Sequence, residues 1–139
     1  MAFVRDHGGG VVATNSGTGC PESAWINLAA AEDEQPVPGA PAFGTLVFGT
    51  NGRSRKHVNL RADPRVSLVV VSGTGQEVQL EGDAALLEGP AARAAAALLE
   101  ARHPGSVGKP STRLVAVTVR WARFVDVAVE PPLREEFAL

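Results

Sequence analysis

The chain has one cysteine, three histidines and no long apolar run in its 139 residues. A lone cysteine, Cys20, excludes an intrachain disulfide, and a reducing compartment is the simplest setting for it. Cys20 lies in a turn-rich segment, which gives the thiol a bland turn position rather than a nucleophilic role. His7, His57 and His103 are scattered and lack metal-ligand spacing, so no metal is expected. Spanning a bilayer as a helix takes about 20 apolar residues, and nothing here approaches that. The first residues also lack the basic-then-apolar pattern of a secretory signal. The expectation is a cytoplasmic protein. Net charge is only −2, so neither nucleic acid nor an anionic membrane is an expected partner. No Gly-x-Ser-x-Gly elbow accompanies the serines, and no other catalytic constellation emerges. The catalytic residues, if any, are unknown from the sequence.

What is present is ordinary in amount and uneven in placement. Hydrophobic residues make up 45% and charged residues 20%, the balance of a soluble globular domain. One domain over 1–139 is expected, since neither a linker nor a repeat interrupts the chain. Residues 53–65 carry Arg53, Arg55, Lys56, Arg61 and Arg65 against Asp63 alone. Such a local basic patch suits a small anionic ligand better than a polyanion.

That patch belongs to the most informative stretch, Leu46 to Val71. Leu46, Val47 and Phe48 begin a strand, which is expected to break at Gly49-Thr50-Asn51-Gly52. A short helix fits Ser54 to Arg61, with Val58 as its inward contact. Asp63-Pro64 ends it, because a residue preceding proline is pushed out of the helical region. Arg65 to Val71 is a second strand, rich in β-branched residues. Arg53, Ser54, Arg55 and Lys56 therefore sit where a strand hands over to a helix. Free backbone N–H groups and the helix dipole favour an anion there. Arginine can grip a phosphate with two parallel bonds, and lysine adds a point charge. The plain alternative is a basic, solvated helix start with no ligand.

Elsewhere the chain reads as short strands. Residues 1–10 are a lead-in ending in glycines. Val11–Thr14 and Ser23–Ala31 are expected to pair across the turn formers Asn15 to Pro21. Residues 32–44 are an acidic, then proline-rich surface loop. Ser72–Gly75 is a turn. Glu77 to Gly82 alternates, with Val78 and Leu80 on one face and Gln79 on the polar one. Gly89-Pro90 opens a helix to Arg102 whose apolar face is Ala91, Ala94, Ala95, Leu98 and Leu99. Thr112–Arg120 and Arg123–Glu130 are two more strands, the second with Val125, Val127 and Val129 on one face. The tail from Pro131 is a surface extension. The sum is about seven antiparallel strands with one short and one longer helix, a mostly β barrel.

The order Thr50, Ser54-Arg55-Lys56, Asn59-Leu60, Asp63-Pro64-Arg65-Val66-Ser67-Leu68 resembles the pyridoxamine 5'-phosphate oxidase-like, FMN-binding split β-barrel family. The resemblance extends from about Val11 to Val129. It implies a split β-barrel, a homodimer with the cofactor between subunits, and FMN held by Thr50, Ser54, Arg55 and Lys56, with Gln79 reaching a polar ring edge. Positions also depart from the founding oxidases. Ala24 and about Ala29 stand where those carry cations, Glu77 where they carry glutamine, and about Val125 where they carry tryptophan. The Arg-Leu-His segment is absent, which weighs against the founding activity. Pro21-Glu22-Ser23-Ala24 is closer to an uncharacterised subgroup. The resemblance implies a flavin-dependent oxidoreductase acting on an unknown small molecule. A deazaflavin-dependent reductase, a non-enzymatic flavin or haem binder, and a degenerate barrel without cofactor are the alternatives.

Overall fold

The computed structural model describes residues 2–31 and 45–138. In chain order these form α1 (Ala2–His7), β1 (Gly9–Asn15), β2 (Pro21–Ala30), β3 (Thr45–Asn51), α2 (Arg55–Ala62), β4 (Arg65–Val71), β5 (Gln76–Leu86), α3 (Gly89–Arg102), β6 (Thr112–Asp126) and β7 (Leu133–Ala138). The strands run β3-β2-β1-β4-β5-β6, every neighbour antiparallel, and β3 pairs with β6 to close the barrel. β7 adds to β6 outside the closed ring. This is the expected mostly β split barrel.

Alternation along each strand fills the interior. Val12, Leu28, Leu46, Phe48, Val70, Val115 and Val117 are wholly buried, with Leu68 and Leu80 close behind. Val78 and Leu80 point inward as their pattern requires. Each such side chain contributes about 1.5–3 kcal/mol by leaving water. A second, smaller core lies outside the barrel wall. There α3 lays Ala95 and Leu99 over Ala29, Val47, Leu114 and Ala116. The alanines let the helix lie close against the sheet.

Several boundaries differ from the sequence reading. The residues 1–10 lead-in contains α1, whose Val4 is buried against the core. β3 does not break at Gly49 but continues to Asn51, because its pairing with β6 runs on through Thr50↔Arg113 and Asn51↔Thr112. Val58 is exposed, and α2 instead buries Asn59 and Leu60. Leu60 packs into the barrel core, and Asn59 beside it donates to Thr14 Oγ1 and Glu22 Oε1, both at 3.0 Å. The two strands expected over Thr112–Glu130 are one, β6, and the tail is β7 rather than a loose extension. The strand count of seven agrees, but its pieces are different. The loop expected over 32–44 lies outside the described residues.

The single long β6 hides a change of phase. Glu81 faces Trp121 and Gly82 faces Val119, which leaves Arg120 as the extra residue of a bulge. Before it, Val115, Val117 and Val119 point inward; after it, Ala122 and Phe124 do. Val125 therefore turns to the outer face, and Val127 and Val129 lie past the strand end, exposed.

Candidate functional site

Ser54 begins the site because it is the N-cap of α2. Its extended backbone precedes the helix, and its hydroxyl accepts from the His57 N–H at 3.2 Å. Thr50 Oγ1, at the end of β3, shares a hydrogen bond of 2.8 Å with the same hydroxyl. Asn51 occupies two more donors, its Oδ1 taking the Arg53 N–H at 2.8 Å and its carbonyl the Ser54 N–H at 2.9 Å. The Arg55 and Lys56 N–H groups, first in the helix, find no acceptor within it. The helix start is thus rigidly built and still has donors to offer.

These groups open onto a cleft of about 280 Å³ between β2, the end of β3, α2 and the far side of α3. Thr50, Asn51, Ser54 and Lys56 line one wall; Trp25, Asn27 and Ser106 line the others. The Ser106 hydroxyl is buried and has no hydrogen-bond partner. Arg55 does not line the cleft. Its guanidinium sits 2.5 Å from Glu22 Oε2, while Asn59 holds the other Glu22 oxygen. The Arg55 side chain is nevertheless largely exposed, so that pair is a solvent-screened one.

Gln79 lies elsewhere. It projects from the outer face of β5, where its Oε1 accepts from Arg123 Nη2 at 2.7 Å and its Nε2 donates to Glu77 Oε1 at 2.8 Å. Pairing runs Trp25↔Val11, Val11↔Val69 and Val69↔Gln79. Three strand spacings, roughly 14 Å along the sheet, therefore separate Gln79 from the cleft at Trp25. Between them the outer face carries Val11 and Val69, both partly exposed, and Trp25 is 65% exposed. One chain thus brings Thr50, Ser54 and Lys56 together, ties Arg55 to Glu22 and sets Gln79 apart.

The far end of α2 is fixed by a different device. Asp63 accepts two bonds from the Arg65 side chain, at 3.0 and 2.7 Å, one from the Arg65 N–H and one from Asn15. The side-chain and backbone bonds from Arg65, then the Asn15 bond, hold its carboxyl well below the usual carboxylate range. The Asp63-Pro64-Arg65 segment thus closes the helix and launches β4 without touching the cleft.

Sequence reasoning missed Ser106, Asn27 and Trp25 as cleft residues. Ser106 follows His103-Pro104-Gly105 in a loop with no periodicity to point it anywhere. Trp25 and Asn27 alternate on the outer face of β2, where an exposed tryptophan was the available signal.

A family model described as pyridoxamine 5'-phosphate oxidase matches residues 1–126. No curated protein matches the chain. Among solved structures, a conserved hypothetical protein from Mycobacterium tuberculosis is 25% identical, with 90% of this chain and 81% of that one covered and a TM-score of 0.70. A pyridoxamine 5'-phosphate oxidase-related, FMN binding protein from Nostoc punctiforme is 17% identical, covering 99% and 82%, with a TM-score of 0.72. A heme binding protein from Mycobacterium smegmatis is 18% identical and reaches a TM-score of 0.75, but this chain, 99% covered, spans only 56% of it. The barrel is shared by a neighbour described as FMN binding and by one described as heme binding.

Proposed function

The chain belongs to the pyridoxamine 5'-phosphate oxidase family, and on that premise we propose that it binds FMN between two copies of itself and acts as a flavin-dependent oxidoreductase on a small molecule. The observation that carries this reading is the cleft at the start of α2. Thr50, Ser54 and Lys56 line it with their hydroxyls, a helix-start N–H and an ammonium, and the unpartnered Ser106 hydroxyl lies across from them. A singly esterified phosphate fits that donor set, because the Lys56 N–H and ammonium, the Ser106 hydroxyl and whichever of the Thr50 and Ser54 hydroxyls is not spent on the other can donate to an anion. Thr50, Ser54 and Lys56 hold the phosphate, and Arg55 adds its charge from the rim.

The rest of an FMN molecule needs an apolar surface, and Trp25, Val11 and Val69 supply one beside the cleft. A second copy laid on this face covers Trp25 and exposed Val71, and brings the partner's Gln79 to the ring edge. That arrangement also accounts for a large exposed tryptophan. Bound there, FMN supplies the redox chemistry, while the protein fixes its position and excludes water. Among the described residues, no helix is long and apolar enough to cross a membrane.

Adding NADH or NADPH anaerobically to the FMN-loaded protein separates enzyme from store. The oxidoreductase reading expects loss of the yellow absorption and its return with a suitable acceptor. Flavin that stays oxidised with both donors favours a carrier or sensor, and a Soret band in the purified protein favours haem.

A further inference from the structure

A cleft larger than the one at α2 is also present among the described residues. It lies on the outer face where β5, β6 and β7 run side by side, and has a volume of about 620 Å³. Val71, Val125 and Val127 form its apolar part, while Gln79, Arg123 and Arg134 supply donors. Strand register explains the grouping. Gln79, Arg123 and Glu136 stand in one row, and Glu77, Val125 and Arg134 in the next. Arg123 and Arg134 are therefore diagonal neighbours on adjacent strands, about 7–8 Å apart at the backbone. Like charges so placed repel unless an anion lies between them.

The two guanidiniums are also under-used. Arg123 has five N–H donors. One makes the 2.7 Å bond to Gln79, another reaches Glu136 Oε1 only at 3.5 Å, and its Nε–H is buried without an acceptor. The Trp121 ring centroid lies 5.5 Å from the guanidinium carbon, within cation–π reach. Arg134 is exposed and carries no ion pair or hydrogen bond among the described residues. Of the charged residues lining the cleft, Arg123 and Arg134 are positive and Glu77 alone is negative. Glu77 is already hydrogen-bonded to Gln79. Glu136, outside the lining, balances Arg123 only through its 3.5 Å contact, so a carboxylate on an apolar body can take its place.

We propose that this cleft binds a small monocarboxylate, the end of the Arg123 guanidinium taking both carboxylate oxygens and Arg134 closing over them. The long contact to Glu136 gives way to the ligand. A phosphate dianion suits the place less, since Glu77 and Glu136 stand beside it. Because Gln79 is bonded to Arg123, the ligand lies next to the residue assigned to the flavin ring. As a substrate class the carboxylate rests on the flavin reading; as a binding site it does not.

The test is calorimetric titration of the protein, with and without FMN, using benzoate and hexanoate and their neutral amides as controls. The acids are expected to saturate and the amides not. Arg123→Lys keeps the charge but loses the fork, and Arg134→Gln alters an exposed residue that supports no packing. Each is expected to weaken acid binding about tenfold, with the circular dichroism of the fold unchanged. No saturation by either acid, equal binding of acids and amides, or full affinity in folded Arg134→Gln and Arg123→Lys would overturn the site. Acid binding that depends on Arg123 in a protein with no affinity for FMN would uphold the site and sink the flavin reading instead.

Discussion

Gly82→Ala is expected to destabilise the barrel by about 3 kcal/mol or more, at the upper end of overpacking effects. Gly82 sits at the bulge where β5 changes register against β6. A Cβ built there falls inside contact distance of the Thr118 carbonyl oxygen and meets the Val117 side chain at 3.0 Å. The first neighbour is backbone in the middle of a closed barrel, so it cannot swing aside as a side chain would. The β5–β6 pairing would have to part or the bulge would have to move. Moving it would turn Ala122 and Phe124 outward, since one residue of slip reverses every side chain. Gly17→Ala is the matched control, because its Cβ would meet nothing within 4 Å at the tip of the β1–β2 turn. It is expected to be neutral or to stabilise by up to about 1 kcal/mol through the unfolded chain. Urea midpoints of the two variants measure the difference. A Gly82→Ala loss below about 0.5 kcal/mol, the size of an ordinary surface change, would show that the bulge is not where the barrel is locked.

Lys56→Ala should weaken FMN binding by roughly ten- to a hundredfold, from a charge-assisted hydrogen bond of about 1.5–3 kcal/mol. Riboflavin, which lacks the phosphate, should lose much less. Arg55→Ala should cost less than Lys56→Ala even though arginine is the better phosphate ligand. The reason is structural: Lys56 lines the cleft, whereas Arg55 is committed to Glu22. Removing Arg55 leaves Glu22 with Asn59 still bonded to it, so the helix keeps its seat. Fluorescence titration of both variants with both flavins reads the four affinities. Equal losses for FMN and riboflavin in Lys56→Ala would mean that the lysine does not meet the phosphate.

The stretch from Asn51 to Val71 was legible because its signals are local. Ser54 caps, Asp63-Pro64 stops, and β-branched residues make β4, each acting within a few residues. β5 was legible for the same reason, its alternation being uninterrupted from Glu77 to Gly82. What was not legible depends on distant partners. α1 is only six residues, too short to hold itself, and exists because Val4 is buried against the barrel. The Arg120 bulge breaks the alternation of β6, so a continuous strand reads as two. β7 is exposed at every position and is held by backbone pairing to β6, so no apolar pattern marks it. Val58 looked inward because it is the apolar residue in the middle of the helix. The helix instead turns Leu60 into the core and Asn59 onto Thr14 and Glu22. In the site, Thr50, Ser54 and Lys56 line one cleft, while Gln79 stands apart on the sheet in a single chain. The proposed dimer assigns the ring edge to the partner's Gln79; within one chain Gln79 ends the row Trp25, Val11, Val69.

The proposed shared site gives the most direct measurement, native mass spectrometry of the 14.4 kDa chain with a modest excess of FMN. The predicted species contains two chains and two FMN molecules, with FMN lost when the dimer is dissociated. A single chain that keeps FMN, or a dimer that takes up none, would contradict a cofactor held between α2 of one copy and Gln79 of the other.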